Sequence, residues 1–479
     1  MDGRRGAGAR FLGDSTRRLQ LTLLVALLAG FAGCGGRHRV VPHSGETSGD
    51  NEPTGQTSAS AHEASRIIPG APLLIRVGLA TDLTVVTLTV RGPTRLLAGD
   101  RRREVASLLK DDQLAVRSTG NRLHWQTAGR TGDADLVFLA PRDPAHLLNW
   151  NEAPYRGEIL LRSVGGKVTI INVVELETYL RGVVPWEIGR PGPEALAAVE
   201  AQAVAARTYT ISHLRERDEF GFDVWADVQD QVYRGAYGED AVCDEAITRT
   251  SGLVLRAGHR EIEAYYSSTC GGWTSNLEEV WPRPAQSYLR SHRDAIGGGP
   301  PFCAAARHFS WEVSWTRTEL ERTLAQTLQD YIAYMSNGSR AEWAGRLFTP
   351  RSAAASPNQP GRLRDLKIIS RTTSGRVGRL DIVTDAGVYH VRGDRVRWVL
   401  VPLGGDPVIL RSALFELTVM RDGEGLPLRI TAAGRGFGHG VGMCQEGALA
   451  MARQGDSNES ILKHYYAGTR LESFEAVAP

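Results

Sequence analysis

Glu187 has the setting in this chain that best suits acid–base chemistry. It follows Val183-Val184-Pro185-Trp186 and leads into a turn that runs to Pro191-Gly192-Pro193. Two influences oppose each other there. Apolar neighbours raise a carboxyl pKa toward the range a general acid needs, whereas a nearby helix N-terminus lowers it. An ordinary loop carboxylate would have the same neighbours, so other stretches must decide. The chain closes its second β-rich region with Gly434-Arg435-Gly436-Phe437-Gly438-His439-Gly440-Val441-Gly442-Met443-Cys444-Gln445-Glu446-Gly447-Ala448. Alternating glycines lose too much backbone entropy to favour a helix or strand interior. They suit a backbone that bends sharply or approaches something closely, here around His439, with Gln445 and Glu446 opening a short helix. No βαβ unit starts there, which excludes a dinucleotide fingerprint.

Two further stretches carry chemistry. Residues 220–238 set Phe222, Trp225, Tyr233 and Tyr237 among Asp223, Asp227, Gln229, Asp230 and Gln231. Ring faces beside amides and carboxylates suit a sugar cleft, and a loop-rich core has the same composition. Ile262 to Gly272 reads as a strand entering a glycine turn crowded by Ser267, Ser268 and Thr269, followed by Cys270.

The elements that must position these groups are mostly strands. Leu74–Leu79 and Val85–Val90 are β-branched and partly alternating. With pieces near Leu114–Val116 and Leu136–Leu139 they suggest a small β-rich module over 70–150. Residues 157–162 and 167–173 form a hairpin turning at Gly165-Gly166, and its second strand leads directly toward Glu187. After Pro193, which suits a first helical turn, an Ala-rich segment places Leu196, Val199, Ala203, Ala206 and Thr210 on one buried face. Arg207 lies about 40° from Ala203 on that helical wheel. A guanidinium there requires partners, either an ion pair or a substrate. Thr318–Met335 is a second amphipathic helix, 336–362 a polar excursion, and 366–401 strand-rich again. The expected fold is α+β, a mixed β-rich architecture with a few packed helices.

The N-terminus bounds the compartment. Arg4, Arg5, Arg10, Arg17 and Arg18 precede the apolar run Leu19–Ala32, which is short for a membrane span and fits an export signal. Gly30-Phe31-Ala32-Gly33-Cys34 resembles the lipobox of bacterial lipoproteins, so residues 1–34 read as a lipoprotein signal with Cys34 as the lipidated residue. Residues 35–69 are polar and aperiodic, a disordered tether. The mature chain is expected outside the cytoplasm, held to a membrane by its lipid. A net charge of +2 on 479 residues gives no reason to expect a nucleic-acid partner. In an oxidising compartment Cys270 and Cys303 are candidates for a disulfide closing a loop of about thirty residues, worth ~3 kcal/mol. Spacing alone does not fix the pairing among Cys243, Cys270, Cys303 and Cys444.

Five ordered motifs together resemble the SpoIID/LytB family, which contains sporulation stage II protein D and amidase-enhancer proteins. They are 173–180 with Val184-Pro185-Trp186-Glu187; Glu194-Ala195-Leu196 with Gln202 to Tyr209; Gln231-Val232-Tyr233-Arg234-Gly235; Ser268-Thr269-Cys270-Gly271-Gly272-Trp273-Thr274; and the terminal Gly-His-Gly motif with Gln445. The resemblance covers about 157–471 and implies a catalytic domain over 151–479 with an insertion near 336–362. It implies a lytic transglycosylase that cleaves MurNAc–GlcNAc bonds in peptide-stripped peptidoglycan, with Glu187 as its single acid/base. Arg207, Gln231, Tyr233, Ser268, Thr269, His439 and Gln445 would line or support the cleft. A cell-wall amidase is the partner implied by the enhancer branch, in which the protein binds glycan without cleaving it. A hydrolytic muramidase would need a second carboxylate, Asp223 or Asp227. One branch of the family holds zinc through His and Cys near the Ser-Thr-x-Gly-Gly turn. Here Ser267 stands at that His position, so no cofactor is expected and the resemblance favours a Cys270–Cys303 disulfide.

Overall fold

Val168 to Val174 are buried one after another in the strand Lys167–Glu175, so both faces of that strand are covered. Its Val/Ile-rich run is what a central strand requires. The computed structural model describes residues 72–403 and 409–474; the signal, Cys34 and the tether lie outside the described residues. On one side the strand pairs antiparallel with Glu158–Val164, where Val164 faces Lys167. Gly165 and Gly166 close that hairpin at φ of 58° and 77°, the left-handed pair that a two-residue type I′ turn needs. On the other side it pairs with Leu74–Leu83. Val224–Trp225 flanks Leu74–Leu83, and Leu136–Pro141, Thr94–Ala98 and Arg103–Leu108 continue from Glu158–Val164, giving seven strands. The other strands between Val85 and Tyr155 form a second, six-stranded sheet.

This pairing runs across the expected boundary near residue 150. Four strands from the 70–150 stretch lie in the same sheet as the strands that lead to Glu187. Val137, Leu139, Ile159, Leu161 and Ile170 belong to one continuous core with the helix Leu196–Ser212. The stretch is therefore part of the body that carries the site.

The helix Leu196–Ser212 departs from the one-sided pattern expected of it. Ala198, Val199, Ala201 and every residue from Gln202 to Ile211 are buried. Alanine lets neighbours approach on all sides, so the helix becomes a central one rather than an amphipathic surface one. It packs against the helices Ala241–Arg249, Gln445–Arg453 and Asn458–Tyr465 and the strand Leu253–Ala257.

A second core lies in residues 311–432, around Trp311, Trp315, Leu320, Leu324, Leu328, Val391 and Ile430. Its long helix, Arg317–Met335, begins with a capping box in which Thr316 and Glu319 satisfy each other's backbone N–H. Two antiparallel sheets, one of three strands and one of four, complete it. The expected excursion at 336–362 is thus a fragment of a larger inserted unit. Its strand Phe348–Pro350 pairs with Gly387–Arg392 inside the four-stranded sheet. The whole is α+β and strand-rich, as the sequence predicted. No described helix is long and apolar enough to cross a membrane.

Candidate active site

Glu175 ends the central strand and caps the following helix, Leu176–Arg181, its side chain accepting from the N–H groups of Glu177 and Thr178. The chain then turns at Gly182. A Cβ there would lie 2.4 Å from the Gly235 carbonyl oxygen and 2.5 Å from the Tyr233 ring, so only glycine fits. The four-residue helical turn Val184–Glu187 comes next, with Pro185 in its first turn and Val184 and Pro185 buried. Its last residue is the expected acid.

The Glu187 carboxylate is held from two sides. Oε1 accepts from the Val232 backbone N–H at 2.6 Å. Oε2 lies 3.5 Å from Gln445 Nε2, and the same nitrogen donates to Gln202 Oε1 at 3.2 Å. Glu187 keeps part of its surface open to solvent, yet its carboxyl sits among densely packed atoms. That burial raises its pKa to about 7, against the lowering effect of the Val232 and Gln445 hydrogen bonds. A carboxyl with that pKa is available both protonated and ionised near neutral pH, which suits an acid that later becomes a base.

Gln231 lies beneath this group. It is fully buried and donates to Thr210 Oγ1 at 2.8 Å and to Tyr179 OH at 3.2 Å. It accepts from Tyr266 OH at 2.7 Å. These bonds fix the backbone just before the Val232 N–H, so Gln231 supports the acid from below. Tyr233 has a similar place: it is buried, and its hydroxyl donates to Asn172 Oδ1 at 2.6 Å.

Arg207 is not on the cleft surface. It is 0% exposed and forks onto Glu177, with Nε to Oε1 at 2.8 Å and Nη2 to Oε2 at 2.6 Å. It also donates to the Leu253 carbonyl at 3.1 Å. Of the two partners considered for it, the structure supplies the ion pair.

Thr269 is buried, and its backbone exchanges hydrogen bonds with Phe437 at 2.9 and 2.8 Å. This joins the hydroxyl-rich turn to the Gly-His-Gly loop. Ser268 is half-buried, and its carbonyl accepts from the Glu446 N–H at 3.0 Å. Two adjacent strands, Tyr266–Ser267 and Met443–Cys444, pair in parallel and make the same connection. His439 lies against Trp281 and Tyr265, with ring centroids 4.8 and 6.2 Å away. Its Nδ1 accepts from the Val441 N–H at 3.0 Å, which leaves the ring proton on Nε2. Burial lowers its pKa to about 4, so it is neutral at ordinary pH.

The aromatic stretch divides. Phe222 packs with Phe220 and Trp225 in a small core that includes Phe138 and Ile171. Asp223 is buried and accepts from Arg76 Nη2 at 2.7 Å and from the Arg76 N–H at 2.8 Å. Asp227 caps its own turn, accepting from the Gln229 N–H at 2.9 Å. No second carboxylate is hydrogen-bonded to Glu187 among the described residues. Tyr237 differs from the buried rings. It is 48% exposed and stacks on Trp186 with centroids 5.9 Å apart and planes at 19°, while Trp186 Nε1 donates to its carbonyl. This pair forms an aromatic platform one residue from the acid.

Gln202, Tyr266 and the Val232 N–H are the parts that sequence reasoning missed. An amide among alanines in a buried helix must find a polar partner, and that was the available signal for Gln202.

The cysteines require a correction. All four described cysteines are free thiols, and Cys270 and Cys303 are not joined: their sulfurs are 3.6 Å apart, against about 2.05 Å for a disulfide. Cys270 Sγ turns toward Asp294 Oδ2 at 3.0 Å, and Cys444 enters the same space, accepting from the Cys270 N–H at 3.2 Å. Ser267 Oγ accepts from the Gly440 N–H at 3.2 Å. The donor set Cys270, Asp294, Cys303 and Cys444 nevertheless fits a thiophilic divalent metal by its chemistry.

Residues 164–256 match the family described as Stage II sporulation protein (SpoIID), and residues 275–442 match a domain of unknown function (DUF8618). An uncharacterized protein of Brachyspira hyodysenteriae is 26% identical over 405 residues, covering 84% of this chain and 94% of its own. The amidase enhancer of Bacillus subtilis is 29% identical over 62% of this chain, which spans only 40% of that protein's length. Stage II sporulation protein D of Bacillus subtilis is 29% identical over 64% of this chain and 77% of its own.

Proposed function

We propose that this chain, a member of the SpoIID/LytB family of cell-wall remodelling proteins, is a lytic transglycosylase acting on peptide-free peptidoglycan strands. The observation that carries this reading is the Glu187 carboxyl, raised to about 7 and held by Val232 and Gln445, with no second carboxylate bonded to it among the described residues.

The short bond from Val232 makes Oε1 the acceptor oxygen, so the proton resides on Oε2. In the first step Glu187 gives that proton to the glycosidic oxygen between N-acetylmuramic acid and N-acetylglucosamine, and the C1–O bond breaks. In the second, the ionised carboxylate takes the proton of the muramyl C6 hydroxyl, whose oxygen bonds to C1. The product is a 1,6-anhydro ring, and Glu187 is again protonated. The Trp186–Tyr237 platform offers ring faces to the sugars beside the acid. His439 is neutral and packs against Trp281 and Tyr265, so it adds no charge to the site.

A hydrolytic muramidase is less well supported, because Asp223 is committed to Arg76 and Asp227 to its own turn. A non-catalytic enhancer of an amidase would use the same cleft only to bind. Cys34 would tether the protein to a membrane on the cell-wall side. Incubation with peptide-free strands tests the reading: new anhydro ends are expected, and intact strands would overturn it.

A further inference from the structure

Four donor groups from distant parts of the chain meet at one buried point. Cys270 follows the hydroxyl-rich turn, Asp294 and Cys303 come from the loop after it, and Cys444 ends the Gly-His-Gly loop. Cys270, Asp294 and Cys444 are 0% exposed and Cys303 1%. One ligand atom from each lies within 4.8 Å of all the others. The Cys270–Cys303 sulfur separation of 3.6 Å is close to the ~3.8 Å edge of a tetrahedron with metal–sulfur bonds of about 2.3 Å.

The surroundings are those of ligands held in place. Asp294 Oδ1 accepts from His464 Nε2 at 3.1 Å and from Tyr465 OH at 2.9 Å, which leaves Oδ2 facing the sulfurs. Outer partners of this kind orient a ligating carboxylate. Backbone N–H groups point at two sulfurs: Gly272 at Cys270 Sγ at 3.3 Å, and Cys270 at Cys444 Sγ at 3.2 Å. Gly447 leaves room for the packing, because a Cβ there would lie 2.2 Å from Tyr465 OH and 2.7 Å from Asp294 Oδ2.

We propose that Cys270, Asp294, Cys303 and Cys444 bind one zinc ion in a closed structural site. Three thiolates and one carboxylate complete a tetrahedral shell and leave no position for substrate. Only Cys270 belongs to the Ser-Thr-x-Gly-Gly turn, so this ligand set differs from the His/Cys set implied by family resemblance. The site ties that turn to the residue directly before Gln445 and so braces the loop that reaches Glu187. The proposal is independent of glycan cleavage, since metal content is read without substrate.

The full chain, purified under reducing conditions without a metal-binding tag, is expected to carry one equivalent of zinc by elemental mass spectrometry. Cobalt exchanged into it should show a thiolate-to-metal charge-transfer band. Cys303→Ser and Asp294→Ala should lose most of the metal, and Cys243→Ala, whose buried sulfur faces the Gly189 carbonyl instead, should keep it. If a ligand variant fails to fold, the wild-type protein remains decisive: a strong chelator should remove the zinc, expose three further titratable thiols and lower the melting temperature. Folded protein with no metal, or an intact mass showing a disulfide between any two of Cys270, Cys303 and Cys444, would overturn the site.

Discussion

Gln445 and Glu187, separated by 258 positions in the chain, meet at 3.5 Å, with the amide nitrogen of one facing Oε2 of the other. The same nitrogen is shared with Gln202 of the central helix. The acid is therefore positioned jointly by the Gly-His-Gly loop and the helix, rather than by its own turn alone. Gln445 favours the ionised form of Glu187 and lowers its pKa. Gln445→Leu is expected to move the basic limb of the pH–rate profile upward and to cut kcat/KM about tenfold, the lower end for a hydrogen bond to a charged group. An unchanged profile would show that Gln445 does not act on the acid.

The raised pKa of Glu187 has a consequence for stability. The folded protein holds the proton to about pH 7, whereas the ordinary value is 4.5. This contribution is fully present below pH 4.5 and is lost as pH rises through 7. Glu187→Gln cannot ionise and does not lose it. The variant should match the wild type at pH 4 and be more stable at pH 8 by on the order of 2 kcal/mol, reduced by whatever solvent reaches the residue. Thermal unfolding at the two pH values checks this, and an equal difference at both would contradict it.

Arg207 is expected to act on stability rather than on substrate. Removing the guanidinium leaves Glu177 without its partner in a part-buried pocket. Arg207→Met should destabilise by about 3–5 kcal/mol, with KM of the remaining folded protein little changed. A large rise in KM at unchanged melting temperature would return Arg207 to the substrate.

Tyr237 presents the opposite case, exposed and stacked on Trp186. Tyr237→Ala should raise KM several-fold, in line with about 0.5–1.5 kcal/mol for a lost aromatic contact, and leave the melting temperature within about a degree. Binding assays on an inactive Glu187→Gln background separate this effect from chemistry.

Much of the fold was legible because the local signals agreed. Gly165-Gly166 and the Val/Ile run before Glu175 each dictate one local structure. The sheet shared across residue 150 was not legible, because strand order depends on pairings between residues such as Ile75 and Val174 that no local pattern reveals. Glu187 stood out through its neighbours and the motif that carries it. Arg207 was visible as a charge on a buried helix, but its partner Glu177 lies 30 positions earlier. The cysteines were weighed in pairs, while the structure brings three of them to one carboxylate, a convergence that only the tertiary fold creates.

The single-acid assignment is tested most directly by the mass of the ends that the full chain makes on peptide-free glycan strands, with Glu187→Gln in parallel. Wild type should release strands ending in 1,6-anhydro-N-acetylmuramic acid, lighter by one water than hydrolysed ends, and folded Glu187→Gln should release none. Hydrolysed ends from the wild type, or anhydro ends from Glu187→Gln at the wild-type rate, would contradict it.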